Sequence, residues 1–127
     1  MTIELEKTGK AVLLDHEKLN VYQIAIEFVL LADKIIEHLP RGRAYLSDQL
    51  QRAALSIPLN IAEGAGEYAI DEKIRFYRMT KRSTTECAGI LDVCHRLELM
   101  EENRYVKGRE LLIRIVSMLI KMAQKNR

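Results

Sequence analysis

Residues 53–64 read AALSIPLNIAEG, from Ala53 to Gly64, an apolar and helix-prone run with a proline at its centre. Set around a wheel at about 100° per residue, Leu50, Ala53, Ala54, Ile57 and Ile61 share one apolar face. Gln49, Arg52, Ser56, Asn60, Glu63 and Glu67 gather into a narrow polar stripe, and beyond it Leu55, Leu59 and Ala62 form a second apolar face. A helix of a lone bundle needs only one apolar face. The second face therefore predicts a further contact, most economically with another copy of the chain. Pro58 cannot donate to the carbonyl of Ala54, and its ring crowds that turn, so a bend is expected there. Ser56 is placed to hydrogen-bond back one turn, and Asn60 has a donor and an acceptor for exposed carbonyls or a neighbouring helix. Arg52 and Glu63 stand about 16 Å apart along the helix. Each is expected to meet an opposite charge on an adjacent helix or subunit.

The same periodicity continues on both sides of this stretch. Upstream, Ile24, Phe28, Leu31, Ile35 and Leu39 repeat at three and four. Asn20 is expected to cap that helix, with Gln23 completing a capping box and Leu19 with Ile24 a hydrophobic staple. Pro40 and Gly42 end it. The helix around Pro58 is predicted from Leu46 to Tyr68, a third from Asp71 to Met100 after the Gly64-Ala65-Gly66 break, and a fourth from Asn103 to Gln124. Phe76, Met79, Ser83, Cys87, Ile90, Leu91, Cys94 and Leu97 are the expected core face of the third helix. Tyr105, Leu112, Ile115, Leu119 and Met122 are that of the fourth. Long helices joined by short loops make an all-α, antiparallel up-and-down four-helix bundle over residues 19–127. Residues 1–18 lack the periodicity and read as an N-terminal arm that a partner would order.

With 127 residues, two prolines and six glycines, the chain suits a single helical domain with a core of its own. No apolar run approaches the roughly 20 residues that cross a bilayer. MTIELEKTGK carries two glutamates and no apolar h-region, so no secretory signal is read and a cytoplasmic location is expected. Residues 1–40 hold four Lys against seven Asp or Glu, whereas residues 41–127 hold sixteen Lys or Arg against eleven acids. That bias permits contact with nucleic acid. Cys87 and Cys94 lie about 10 Å apart on one helix, too far for a disulfide, and read as buried thiols.

The pattern Tyr45-x3-Gln49-x2-Arg52-Ala53-Ala54-x-Ser56-Ile57-Pro58-x-Asn60-Ile61-Ala62-Glu63-Gly64 closely resembles the signature of the four-helix-bundle proteins encoded in intervening sequences of bacterial 23S ribosomal RNA genes. The resemblance runs from about Leu19 to Ile120 and takes in Leu39-Pro40, Phe76 and Ser83-x2-Glu86. Arg82 departs from it, since many relatives have glycine there. The resemblance implies a protomer assembled into a homopentameric ring and a role with RNA. The accessory variability proteins of diversity-generating retroelements look like distant relatives, with a basic pentameric barrel that engages nucleic acid and a reverse transcriptase. No enzymatic activity comes with the resemblance.

Two basic stripes are the candidate nucleic-acid contacts. Arg75, Arg78 and Arg82 follow one another at i, i+3 and i+7 with Lys81 at the edge, and Lys107, Arg114 and Lys121 stand at heptad spacing. Arg41 and Arg43 in the loop after Pro40 are expected to extend such a patch. Stripes of this kind track phosphates through counterion release and bidentate arginine contacts. They also read as solvated faces partly neutralised by Glu86, Asp92 and Glu110. Enzymatic readings are weak. His16, His38 and His95 stand at no metal-ligand spacing, and EGAGEY at 63–68 follows a helix and lacks the GKS/T ending of a phosphate loop. No metal or cofactor is expected. A scaffold that recruits another protein, without touching RNA, is the competing reading.

Overall fold

The computed structural model describes residues 12–125. A 3-10 turn at Asp15–Lys18 leads into four α-helices: α1 Asn20–Glu37, α2 Ala44–Ala65, α3 Ile70–Arg96 and α4 Glu102–Lys125. Among the described residues there is no strand. Each helix packs against its neighbours in sequence, and α1 also packs against α4. Hence α1 and α3 occupy one diagonal of a four-helix bundle, and α2 and α4 the other. Gly64 late in α2 faces Phe76 and Tyr77 early in α3, while Gly108 early in α4 faces Leu91 late in α3 and Phe28 and Leu31 of α1. Neighbouring helices are therefore antiparallel, and α2 runs in the same direction as α4.

The wheel of α2 is realised in the core. Leu50, Ala53, Ala54, Ile57 and Ile61 are buried and pack with Phe28, Ile35, Leu91, Leu111 and Ile115. Each large side chain buried this way contributes about 1.5–3 kcal/mol relative to exposure. α2 runs through Pro58 without interruption. The Ser56 hydroxyl donates to the Ala53 carbonyl at 2.8 Å, and the Asn60 amide donates to the Ser56 carbonyl at 2.9 Å. Asn60 thus serves its own helix rather than a neighbour.

Several boundaries differ from the sequence reading, each for a local reason. Leu19, not Asn20, is the N-cap of α1, and it has no side-chain capping bond. Gln23 instead reaches back to the Glu17 carbonyl at 3.4 Å, while Glu17 accepts from the Leu14 N–H at 3.2 Å, so the 3-10 turn takes the place of the capping box. That turn packs on α1 and α2; residues 1–11 of the arm lie outside the described residues. α2 stops at Ala65, leaving Glu67 off the helix and Tyr68 wholly exposed.

α3 ends at Arg96 rather than Met100. Glu98 adopts a left-handed φ of 58°, and the N–H groups of Glu98 and Leu99 return to the carbonyls of His95 and Cys94. This is a Schellman stop in which glutamate occupies the place where glycine is usual, so no glycine marked it. The core face of α3 differs too. Met79, Ser83 and Ile90 are only half-buried and Leu97 is exposed, whereas Thr80 and Thr84 are completely buried. Their hydroxyls donate to the carbonyls of Phe76 and Thr80 at 2.8 and 2.7 Å, which satisfies them inside the helix and lets their methyls face the core.

Candidate nucleic-acid interface

The outer face of α3 carries Arg75, Arg78, Lys81 and Arg82, all exposed. They differ in what holds them. The Arg75 guanidinium donates twice to Glu72, at 3.1 and 3.2 Å, and lies 4.8 Å over the Phe76 ring, so its charge is partly met. Arg78 and Lys81 edge a groove of about 210 Å³ towards α4, with Tyr77, Leu119 and Ile120 in its wall. Arg82 edges another, of about 360 Å³, towards α2, where it is brought together with Asn60, Ser83 and Glu86. Among the described residues, Arg78, Lys81 and Arg82 have no ion-pair partner.

The stripe on α4 is separate. Lys107 pairs with Glu110 at 3.8 Å, and Arg114 and Lys121 are exposed without an ion-pair partner among the described residues. Between this stripe and α3 runs a row the sequence reading overlooked: Val106, Ile113 and Ile120, at heptad spacing and 54%, 55% and 43% exposed. Arg41 and Arg43 do not extend the α3 patch. They lie at the end of the bundle where α1 meets α2, which is also the C-terminal end of α3, whereas Arg75, Arg78 and Arg82 belong to its N-terminal half. Arg43 donates to the Tyr45 hydroxyl at 2.8 Å.

On α2, Arg52, Leu55, Leu59 and Glu63 are exposed, Ser56 and Asn60 half-buried and Pro58 buried. Leu55 and Leu59 keep about half of their surface, at 49% and 52%. Neither Arg52 nor Glu63 has an ion-pair partner among the described residues.

A polar cluster at the α3–α4 turn was not legible beforehand. His95 Nε2 and Glu102 Oε2 stand 2.6 Å apart, the His95 ring stacks on Tyr105 at 3.8 Å, and the Tyr105 hydroxyl donates to Asp92 at 2.7 Å. Arg109 approaches the same carboxylate at 3.7 Å. Accepting that bond, Asp92 pushes the Tyr105 phenol above its ordinary value. The cluster ties α3 to α4 across the turn; its members are 7 to 13 residues apart for the hydrogen bonds, and only the turn brings them level. Burial, with Glu86 nearby, pushes the Cys87 thiol up to about 12, and burial also raises Cys94 and Tyr77. Among the described residues no group of three or more His, Cys, Asp or Glu is arranged to hold a metal ion, and no helix is long and apolar enough to cross a membrane.

Residues 17–121 match the family model of the 23S rRNA-intervening sequence protein. No curated protein matches the chain. Among solved structures, it is similar to a protein of unknown function from the S23 ribosomal protein family of Bacteroides thetaiotaomicron. Identity is 20%, the TM-score is 0.75, and the match covers 81% of this chain and 97% of that one. That likeness supports the four-helix architecture.

Proposed function

The chain belongs to the 23S rRNA-intervening sequence protein family, and from that premise we propose that it is a non-catalytic, cytoplasmic homo-oligomer that docks on structured RNA. The observation that carries this reading is the outer face of α3, where Arg78, Lys81 and Arg82 stand exposed within little more than one turn, without ion-pair partners among the described residues. Cations so disposed neutralise phosphates and release counterions, which gives affinity without base readout. A pentameric ring would repeat the patch, and repetition raises avidity about 10²–10⁴-fold without any new contact. The double-faced α2 supplies the subunit contact.

The test is retention of a structured RNA by the purified protein as a function of salt. Affinity should fall steeply with ionic strength, and Arg78→Glu with Arg82→Glu should weaken binding while lowering the salt slope by about 2. Absence of salt-dependent retention at low ionic strength would overturn the reading. The scaffold reading is favoured by a second, apolar groove of about 250 Å³ between α3 and α4, lined by Ala88, Leu112, Ile113 and Val116. A protein partner recovered after nuclease treatment would support it.

A further inference from the structure

Two exposed apolar stripes lie on opposite corners of the bundle: Leu55 and Leu59 on α2, and Val106, Ile113 and Ile120 on α4. Different patches on opposite sides cannot both be covered by one two-fold contact, but a head-to-tail contact covers both and closes into a ring when the rotation allows. Such a ring, with its axis along the bundle, imposes two conditions. Facing helices must be parallel, because rotation about that axis preserves their direction. They must also meet at equal height, because a closed ring has no rise.

α2 and α4 meet the first condition, since each is antiparallel to α3. The second fixes a register. Gly64 is level with Phe76 and Tyr77, and Leu91 with Gly108. Antiparallel neighbours step in opposite senses, so counting back along α3 from Leu91 to residues 76–77 means counting forward along α4 from Gly108 to residues 122–123. A residue of α2 therefore shares its height with the α4 residue about 58 to 59 positions later, and of these only 58 sets Leu55 against an exposed apolar residue. At an offset of 58, Leu55 meets Ile113 and Ala62 meets Ile120. Arg52 meets Glu110 and Glu63 meets Lys121, so opposite charges close both ends of the apolar contact. Reversing one helix would set Arg52 against Lys121 and Glu63 against Glu110, two like-charged pairs.

From this coincidence of height, direction, apolar match and charge we infer that the outer stripe of α2 docks, parallel and in register, on the outer stripe of α4 of the next copy. The inference rests on the homo-oligomeric reading above and specifies its interface. Arg52 and Glu63, without ion-pair partners among the described residues, gain partners there. Glu110 exchanges an exposed 3.8 Å contact with Lys107 for one with Arg52. The α3 face bearing Arg78, Lys81 and Arg82 lies on the other diagonal, with Arg78 and Lys81 bordering the groove that Ile120 also lines.

The full chain carrying Leu55→Cys and Ile113→Cys tests the contact, because the native Cys87 and Cys94 are buried and do not compete. Facing positions on such a pair of helices fall within the roughly 4.4–6.8 Å Cα separation of a disulfide. Mild oxidation should give a ladder of covalent multimers ending at the size of the native assembly, and Leu55→Cys alone should give none. Independently, Arg52→Glu should weaken assembly about tenfold, with Glu110→Arg restoring it. An assembly that forms without the ladder, or covalent dimers from Leu55→Cys alone, would overturn this interface and leave oligomerisation standing. A wild-type chain that sediments as a monomer at high concentration and low salt would overturn both.

Discussion

Replacing Gly64 by alanine tests whether the α2–α3 contact has the closeness the structure gives it. A Cβ at Gly64 would stand 2.8 Å from Phe76 Cβ, 3.5 Å from Phe76 Cγ and 3.7 Å from Tyr77 Cε1. Carbon atoms rest about 3.5–4.0 Å apart, so the two helices would have to separate by roughly 0.7 Å or more. Phe76 Cβ is attached directly to its backbone, and no rotamer change withdraws it. Overpacking of this kind costs about 1–3 kcal/mol. Alanine's helical advantage over glycine offsets at most about 1 kcal/mol, and less here because Gly64 lies in the last turn of α2. The expected outcome for Gly64→Ala is a net loss of about 1–2 kcal/mol, read by urea unfolding followed by helical circular dichroism at fixed protein concentration. Gly108→Ala is the control. Its Cβ would stand 2.6 Å from Leu91 Cδ1, a closer approach, but to a methyl at the end of a rotatable side chain. It should stay within about 1 kcal/mol of wild type. Stability of Gly64→Ala equal to wild type, or Gly108→Ala proving the more damaging, would refute the reasoning.

Three further outcomes follow from the same geometry. Glu98→Gly should raise stability by up to ~1 kcal/mol in thermal or urea unfolding, because it relieves a left-handed residue at the end of α3. Tyr105→Phe should lower stability at neutral pH through loss of the bond to Asp92. Because the Tyr105 pKa is raised in the fold, that difference is fully present below the ordinary tyrosine value of about 10 and fades as pH climbs through the folded value; paired unfolding curves from pH 7 to 11 measure it. Cys87, fully buried and with its thiol held up to about 12, should resist a disulfide reagent in the native protein at pH 8 and react at once in denaturant; rapid native labelling of both cysteines would contradict the burial.

Much of this architecture could be read from periodicity, because each helix declares its inward face along its own length. Leu50, Ala53, Ala54, Ile57 and Ile61 were identified that way, as was the exposed pair Leu55 and Leu59. Thr80 and Thr84 were not, since a polar residue type conceals a methyl that packs once its hydroxyl is bonded to its own helix. The stop at Glu98 escaped because the αL position held no glycine. The candidate basic residues were individually exposed as expected, apart from the half-buried Arg43, yet their grouping was not legible. Arg41 and Arg43 fell at the far end from the first half of α3, and an apolar row divides Lys107, Arg114 and Lys121 from Arg78 and Lys81.

The sequence alone determined four amphipathic helices, their inward faces and the double-sided character of α2, because side-chain spacing along one helix is a local property. Only the tertiary structure decided which helices share a corner and at what height residues of different helices stand. Those heights depend on how the Gly64–Phe76 and Leu91–Gly108 contacts set one helix along the next. No pattern within a single helix encodes that sliding coordinate, and it is what places Arg52 at about the height of Glu110.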